Sequence, residues 1–276
     1  MTTSWDGAEY PENVARTPRA WWRALRRGLP LAIVTFGCLG LLLLLRLVER
    51  PLFGMDRPIT PHITQFVCRS AFRLMGMQLV VEGTPMVEKG AAVANHSSWL
   101  DIFALNAPQR VYFVSKSEVA GWPGIGWLAR ATGTLFIERK RSQALAHGRM
   151  FRDRLLAGHH LMFFPEGTST DGRRVLPFKP TLFAPFQEDG LRDTLHIQPI
   201  SLVYTAPEGA PDRFYGWWGD MDFGNGLLNV LMVRNPGGVT VIFHEPLRVA
   251  DYPDRKSLAK ALEEVVRSRV PQPCDT

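Results

Sequence analysis

Asn95-His96-Ser97-Ser98-Trp99-Leu100-Asp101 sets an imidazole and a carboxylate five positions apart, directly after a short apolar run. Histidine titrates near neutrality and can take a proton from a poor nucleophile such as an alcohol. A carboxylate on its other ring nitrogen fixes the tautomer and stabilises the cation that forms. A strand end followed by the first turn of a helix brings side chains at this spacing together. The same residues have a plainer use: Ser98 and Asp101 stand at capping-box separation, so Asp101 would equally serve a helix N-terminus. Neither Ser97 nor Ser98 reads as a nucleophile, because no Gly-x-Ser-x-Gly elbow surrounds either.

Two further clusters carry polar chemistry. Phe164-Pro165-Glu166-Gly167-Thr168 ends the apolar run Leu161–Phe164. Proline and glycine stop a strand there, and the expected outcome is an exposed carboxylate able to accept hydrogen bonds from a hydroxyl or an ammonium; an ordinary β-turn is the alternative. Gly133-Thr134-Leu135-Phe136-Ile137-Glu138-Arg139 ends on a guanidinium, the group suited to bidentate binding of phosphate or carboxylate. Glu138-Arg139-Lys140-Arg141 also reads as a solvated basic loop.

The elements that must position these residues alternate. Strand patterns cover Gln78–Val81, Ala91–Ala94, Val111–Val114, Thr134–Ile137, Leu161–Phe164, Ile197–Tyr204 and Val239–Phe243. Helical patterns lie near Ser98–Leu105, Ser142–Leu156 and Ser257–Val270. This alternation predicts an α/β sheet with covered faces. Pro207 to Gly238, rich in Gly, Pro, Asn and Trp, reads as a long excursion between late strands.

Ahead of this domain, Leu29–Leu45 holds 17 residues without a charge, about 26 Å of helix. Arginines precede it, but no small-residue cleavage site follows, which predicts an uncleaved anchor and not a signal peptide. Thr60 is the expected cap of a second helix with Pro61 at its first position. Ile63, Phe66, Val67, Ser70, Ala71, Leu74 and Met75 share one face of it. That face suits either a membrane interface or the domain core. The expected division is 1–58, a basic segment with anchor helix, and 59–276, the α/β domain.

The 276 residues carry a net charge of +6 and a pI near 9.5, suited to an anionic partner such as a membrane surface or acidic lipid. Nothing reads as a nucleic-acid module. Cys38, Cys68 and Cys274 are scattered without metal-ligand spacing, which fits a reducing compartment.

The Asn-His-Ser-Ser-Trp-Leu-Asp and Phe-Pro-Glu-Gly-Thr motifs resemble the first and third sequence blocks of the lysophospholipid (1-acylglycerol-3-phosphate) acyltransferase superfamily. Gly133–Arg139 is similar to the second block and Gln198-Pro199-Ile200 to the fourth. The resemblance implies a mixed, mostly parallel sheet covered by helices, with N-terminal membrane-associated helices. It implies catalytic roles for His96 and Asp101: a lipid hydroxyl attacks an acyl thioester directly, with no acyl-enzyme, metal or bound cofactor. Glu166, Gly167, Thr168, Arg139 and Lys116 would face the acceptor headgroup. The donor would be acyl carrier protein or coenzyme A carrying the acyl group, and the site would be the cytoplasmic face of a bacterial inner membrane. One departure stands out. Glycerophosphate-acting relatives usually follow the third-block threonine with arginine, and here Ser169 holds that place. Arg173, Arg174 or Lys179 would have to replace it. Val175-Leu176-Pro177-Phe178-Lys179 and Tyr215–Met221 are more similar to the lyso-ornithine-lipid branch, whose acceptor has a zwitterionic head and no phosphate.

Overall fold

A computed structural model of the chain describes residues 5, 7–137, 144–188 and 190–271. At its centre lies β2 (Gly90–Ala94), a run of small residues buried on both faces. Parallel to it on one side run β5 (Leu161–Phe163), β3 (Tyr112–Lys116) and β4 (Leu135–Ile137), in that order. On the other side β6 (His196–Thr205) is also parallel. β7 (Gly238–Phe243) and the two-residue β8 (Leu247–Arg248) pair antiparallel with successive parts of β6, and β1 (Gln78–Glu82) closes the edge parallel to β7. Pro199 falls where β8 hands over to β7 as the neighbour of β6, a place where a strand tolerates a missing N–H. The sheet is therefore mixed and mostly parallel, as expected.

Strand alternation sends side chains to two cores. Ala92, Ala94, Met162, Ile200 and Leu202 face α2 (Thr60–Met75), α3 (Asp101–Asn106), α6 (Phe223–Met232) and the start of α1 (Pro18–Phe53). Ala91, Val93, Leu161, Phe163 and Ile197 face α5 (Ala144–Leu156), α7 (Arg255–Arg267) and the 3-10 stretch Pro180–Gln187. The result is three layers with both sheet faces covered, as parallel strands require. Neither α6 nor the short helix α4 (Ile125–Thr132) was foreseen; α6 lies in the Gly- and Trp-rich stretch that reads as a long excursion.

The expected anchor is the middle of a longer helix. α1 has 36 residues, about 54 Å of rise, and starts at a Thr17 cap with Pro18 at its first position. It is long and apolar enough to cross a membrane. Ala20, Ala24, Arg27, Thr35, Leu39, Leu42 and Glu49 recur at intervals of three and four, with Thr35 and Glu49 each one wider step on, and form one buried seam. Leu29, Ile33, Phe36, Leu44 and Leu47, on other faces, are each more than half exposed. The seam is polar at both ends. Arg27 donates to the Leu231 and Val233 carbonyls (3.1 and 2.6 Å) and to Arg234 (3.3 Å), so it caps the carboxyl end of α6.

At the far end Glu49 accepts from the backbone N–H of Ile59 and of Thr60 and from the Thr60 hydroxyl (2.8, 3.1 and 2.7 Å). This corrects the expected cap. Thr60 is the first helical residue and its hydroxyl is a donor; the carboxylate that satisfies the α2 N-terminus comes from α1. The buried face of α2 is also rotated from the expected one: Cys68, Ala71, Phe72 and Met75 point inward, while Phe66 is 57% exposed.

Candidate active site

In an open α/β sheet, loops leaving the carboxyl ends of parallel strands make the site. β2 leads into His96, β5 into Glu166 and β3 ends on Lys116, so three parallel strands deliver these sequence clusters to one edge. Arg139 itself lies outside the described residues. Lys116, partly exposed, sits two strands from β2, roughly 10 Å across the sheet.

His96 is fixed on every side but one. Its backbone N–H donates to Glu166 Oε1 (2.7 Å) and its carbonyl accepts from Thr170 N–H (2.9 Å). Its ring stacks on Phe164, with centroids 4.0 Å apart and planes 9° from parallel. Nδ1 lies 2.7 Å from Asp101 Oδ2. That oxygen also accepts from the backbone N–H of Ser97 and Ser98 (2.8 and 3.0 Å), and Oδ1 accepts from the Tyr204 hydroxyl (2.6 Å). Four donors thus converge on a fully buried carboxylate, which dictates that Nδ1 carries the imidazole proton. Nε2 is left with no hydrogen-bond partner among the described residues, on a side chain 20% exposed. An imidazole held so can accept a proton from a bound hydroxyl and return it.

The capping reading of Asp101 is met only in part: the oxygen that holds His96 also takes the Ser98 N–H, but the helix begins at Asp101 itself, with Leu100 at the cap position and no side-chain cap bond. Tyr204 was not foreseen as part of the site. In the sequence it is one more aromatic of a β-strand, 103 positions from the carboxylate it reaches. Burial, and then the neighbouring Asp101, push its phenol well above the ordinary range and keep it a donor.

The third cluster differs from expectation in one respect. Its turn forms, with Gly167 N–H donating to Phe164 O (3.1 Å) and Gly167 at φ 72°, a conformation glycine adopts without strain. Glu166, however, is 2% exposed, not presented to solvent. Its Oε2 takes the Leu176 N–H (2.8 Å), so the carboxyl bridges the His96 loop to the loop that follows it. Thr168 is partly exposed, and its hydroxyl oxygen accepts from Trp5 N–H (3.4 Å). Arg174 is paired with Asp171 (3.1 Å) and lies over the Trp5 ring, and Arg173 pairs with Asp212 (3.0 Å).

Burial pushes the Glu166 carboxyl up to about 8, against the pull of its two backbone N–H donors. Between the ordinary value of 4.5 and about 8 the folded chain holds a proton that the unfolded chain has lost. Stability should therefore be greatest below this window and fall as pH rises through it. Thermal unfolding of the detergent-solubilised protein should show that fall, and Glu166→Gln, which cannot ionise, should flatten it. An identical slope in the variant would remove Glu166 as its source.

Residues 78–203 match the family model described as Acyltransferase. The chain is 54% identical over 268 residues to the lyso-ornithine lipid O-acyltransferase of Rhodobacter capsulatus, covering 97% of each. It is 37% identical to the protein of the same description from Brucella abortus, covering 78% of this chain and 82% of that one. Among solved structures, the 1-acyl-sn-glycerophosphate (LPA) acyltransferase of Thermotoga maritima has the same fold, with a TM-score of 0.63 at 23% identity over 91% of this chain and 94% of that one. With the His96–Asp101 pair inside the matched segment, the chain belongs to the acyltransferase family.

Proposed function

We propose that this protein is a membrane-bound O-acyltransferase that moves a fatty acyl group from a thioester to the hydroxyl of a lysolipid. Lyso-ornithine lipid is the proposed acceptor. The observation that carries the reaction class is the imidazole whose Nδ1 is held by a buried carboxylate while Nε2 stays open. The acceptor rests on 54% identity across 97% of a relative with that substrate in its name, and on Ser169, where phosphate-binding arginine would be expected.

In the proposed step the acceptor hydroxyl gives its proton to His96 Nε2 as its oxygen attacks the thioester carbonyl. The C–O bond forms, the C–S bond breaks, and the departing thiolate takes the proton back from the imidazolium. Asp101 balances the transient positive charge through Nδ1–H. Glu166 acts at one remove: it fixes the backbone of His96 and does not touch the acceptor. Gly167, Thr168 and Lys116 line the acceptor's approach; the headgroup role expected for Arg139 rests on the sequence resemblance alone. The donor is acyl carrier protein or coenzyme A, both made in the cytosol, which places the site on the cytoplasmic face of a bacterial inner membrane. The exposed apolar faces of α1 supply the membrane contact.

The test is acyl transfer by the purified protein from labelled acyl carrier protein to either lyso-ornithine lipid or 1-acylglycerol-3-phosphate. Product from the ornithine lipid is the expected result. Product from the phosphate lipid alone would reassign the acceptor, and no product from either would remove the proposal.

A further inference from the structure

Beside the third cluster lies an open groove of about 530 Å³, lined by Glu9, Asp171, Arg173, Arg174, Asp212 and Arg213. Its floor is tied to the reacting histidine. Thr170 N–H holds the His96 carbonyl, and a Cβ on Gly172 would lie 3.4 Å from that of Ser97. One wall comes from the N-terminal segment: Trp5 bonds Thr168 and packs on Arg174 and Trp218, while Glu9 faces Arg213 at 3.7 Å. Three guanidinium groups and three carboxylates line the groove. Asp171 is buried and held by Arg174 and by the Arg173 N–H, so it is a fixed part of the frame. Asp212 and Glu9 are different: their side chains are 70% and 94% exposed and their pairs with Arg173 and Arg213 can exchange partners with a ligand.

We propose that this groove seats the zwitterionic amino-acid headgroup of the acceptor, with Arg173 and Arg213 taking its carboxylate and Glu9 and Asp212 its ammonium. The inference rests on the acceptor named above and assigns residues to it. A headgroup with one charge of each sign replaces two existing ion pairs by two equivalent ones. A phosphate monoester carries close to two negative charges and brings no cation for the three carboxylates. Discrimination between the acceptors thus comes from repulsion as much as from attraction. It also gives a physical sense to Ser169: a further arginine would tip a balanced groove toward phosphate.

The exposed pairs would serve equally as ties that hold residues 7–9 on the domain, and kinetics separates the two roles. The full-length protein in detergent is assayed with both acceptors as wild type, as the double variant Glu9→Gln/Asp212→Asn and as Arg213→Gln. Each substitution is made at an exposed or half-exposed side chain, so the thermal midpoint should hold. For the double variant the KM for lyso-ornithine lipid should rise about tenfold, about threefold for each exposed pair, with kcat within about twofold. Its preference should shift toward the phosphate lipid. Arg213→Gln should raise KM for both acceptors. Nα-acetylornithine, a soluble mimic of the head, should compete with the lipid in wild type and not in the variants. Unchanged KM values in an enzyme that uses lyso-ornithine lipid would overturn the groove assignment alone, as would failure of the mimic to compete. A wild type inactive on that lipid would overturn the acceptor reading and this inference with it.

Discussion

His96→Ala is expected to lower kcat by about 10²- to 10⁴-fold, the range that a positioned general base contributes, with lipid binding and fold retained. The fold should survive because the backbone at this position is held independently of the ring: Glu166 takes the N–H and Thr170 holds the carbonyl. What disappears is the ring stacked on Phe164, whose Nε2 has no hydrogen-bond partner among the described residues. Turnover with acyl carrier protein as donor and sedimentation with lipid vesicles give the two readouts. An undiminished rate would end the mechanism; loss of vesicle binding with the rate would show that the ring does more than move a proton.

Asp101→Asn should cost about 10²-fold in kcat, less than the 10⁴ seen where an asparagine reverses the tautomer of a catalytic histidine. The reason is local. Two backbone N–H groups, from Ser97 and Ser98, point at Oδ2 beside the imidazole. An amide NH2 turned toward them would set donor against donor, so the side-chain oxygen must stay there and keep accepting from Nδ1–H. The NH2 then faces the Tyr204 hydroxyl, which can accept as well as donate. The tautomer is preserved and only the negative charge is lost. Asp101→Ala removes the acceptor altogether, leaves two buried N–H groups unpaired at about 1–3 kcal/mol each, and should be worse in both rate and stability. Imidazole nitrogen shifts read by NMR would check the tautomer directly: a proton found on Nε2 in the asparagine variant would refute this account.

Seven of the eight strands were legible because each is a short apolar run bounded by turn formers, and central parallel strands read that way whatever surrounds them. His96 and Asp101 were legible together because the constraint between them spans one turn of chain. The parts that stayed hidden depend on distance. Tyr204 joins the site only when β6 is laid beside β2. Glu166 looked solvent-facing because the turn around it is polar, yet its two N–H partners, at His96 and Leu176, close over it from elsewhere. Thr60 looked like a cap because its type and place were right, but a carboxylate from another helix had the stronger claim on the same donors. The anchor was read as 17 residues because charge ends an apolar window; packing of Ala20, Ala24 and Arg27 against the domain carries the helix on.

That packing sets an order of events in synthesis. α1 leaves the ribosome ahead of the other described helices, and the Leu231 carbonyl that receives its Arg27 lies 204 positions downstream. At about 5–20 residues per second the partner arrives roughly 10–40 s later. For that interval a helix with a leucine-rich face and an unpaired guanidinium must be kept from aggregating. The bilayer interface can hold both, hydrocarbon for the leucines and headgroups for the snorkelling arginine. On the membrane location proposed above, the bilayer is first a holding surface for the nascent chain, and the domain is assembled onto a helix already lodged there.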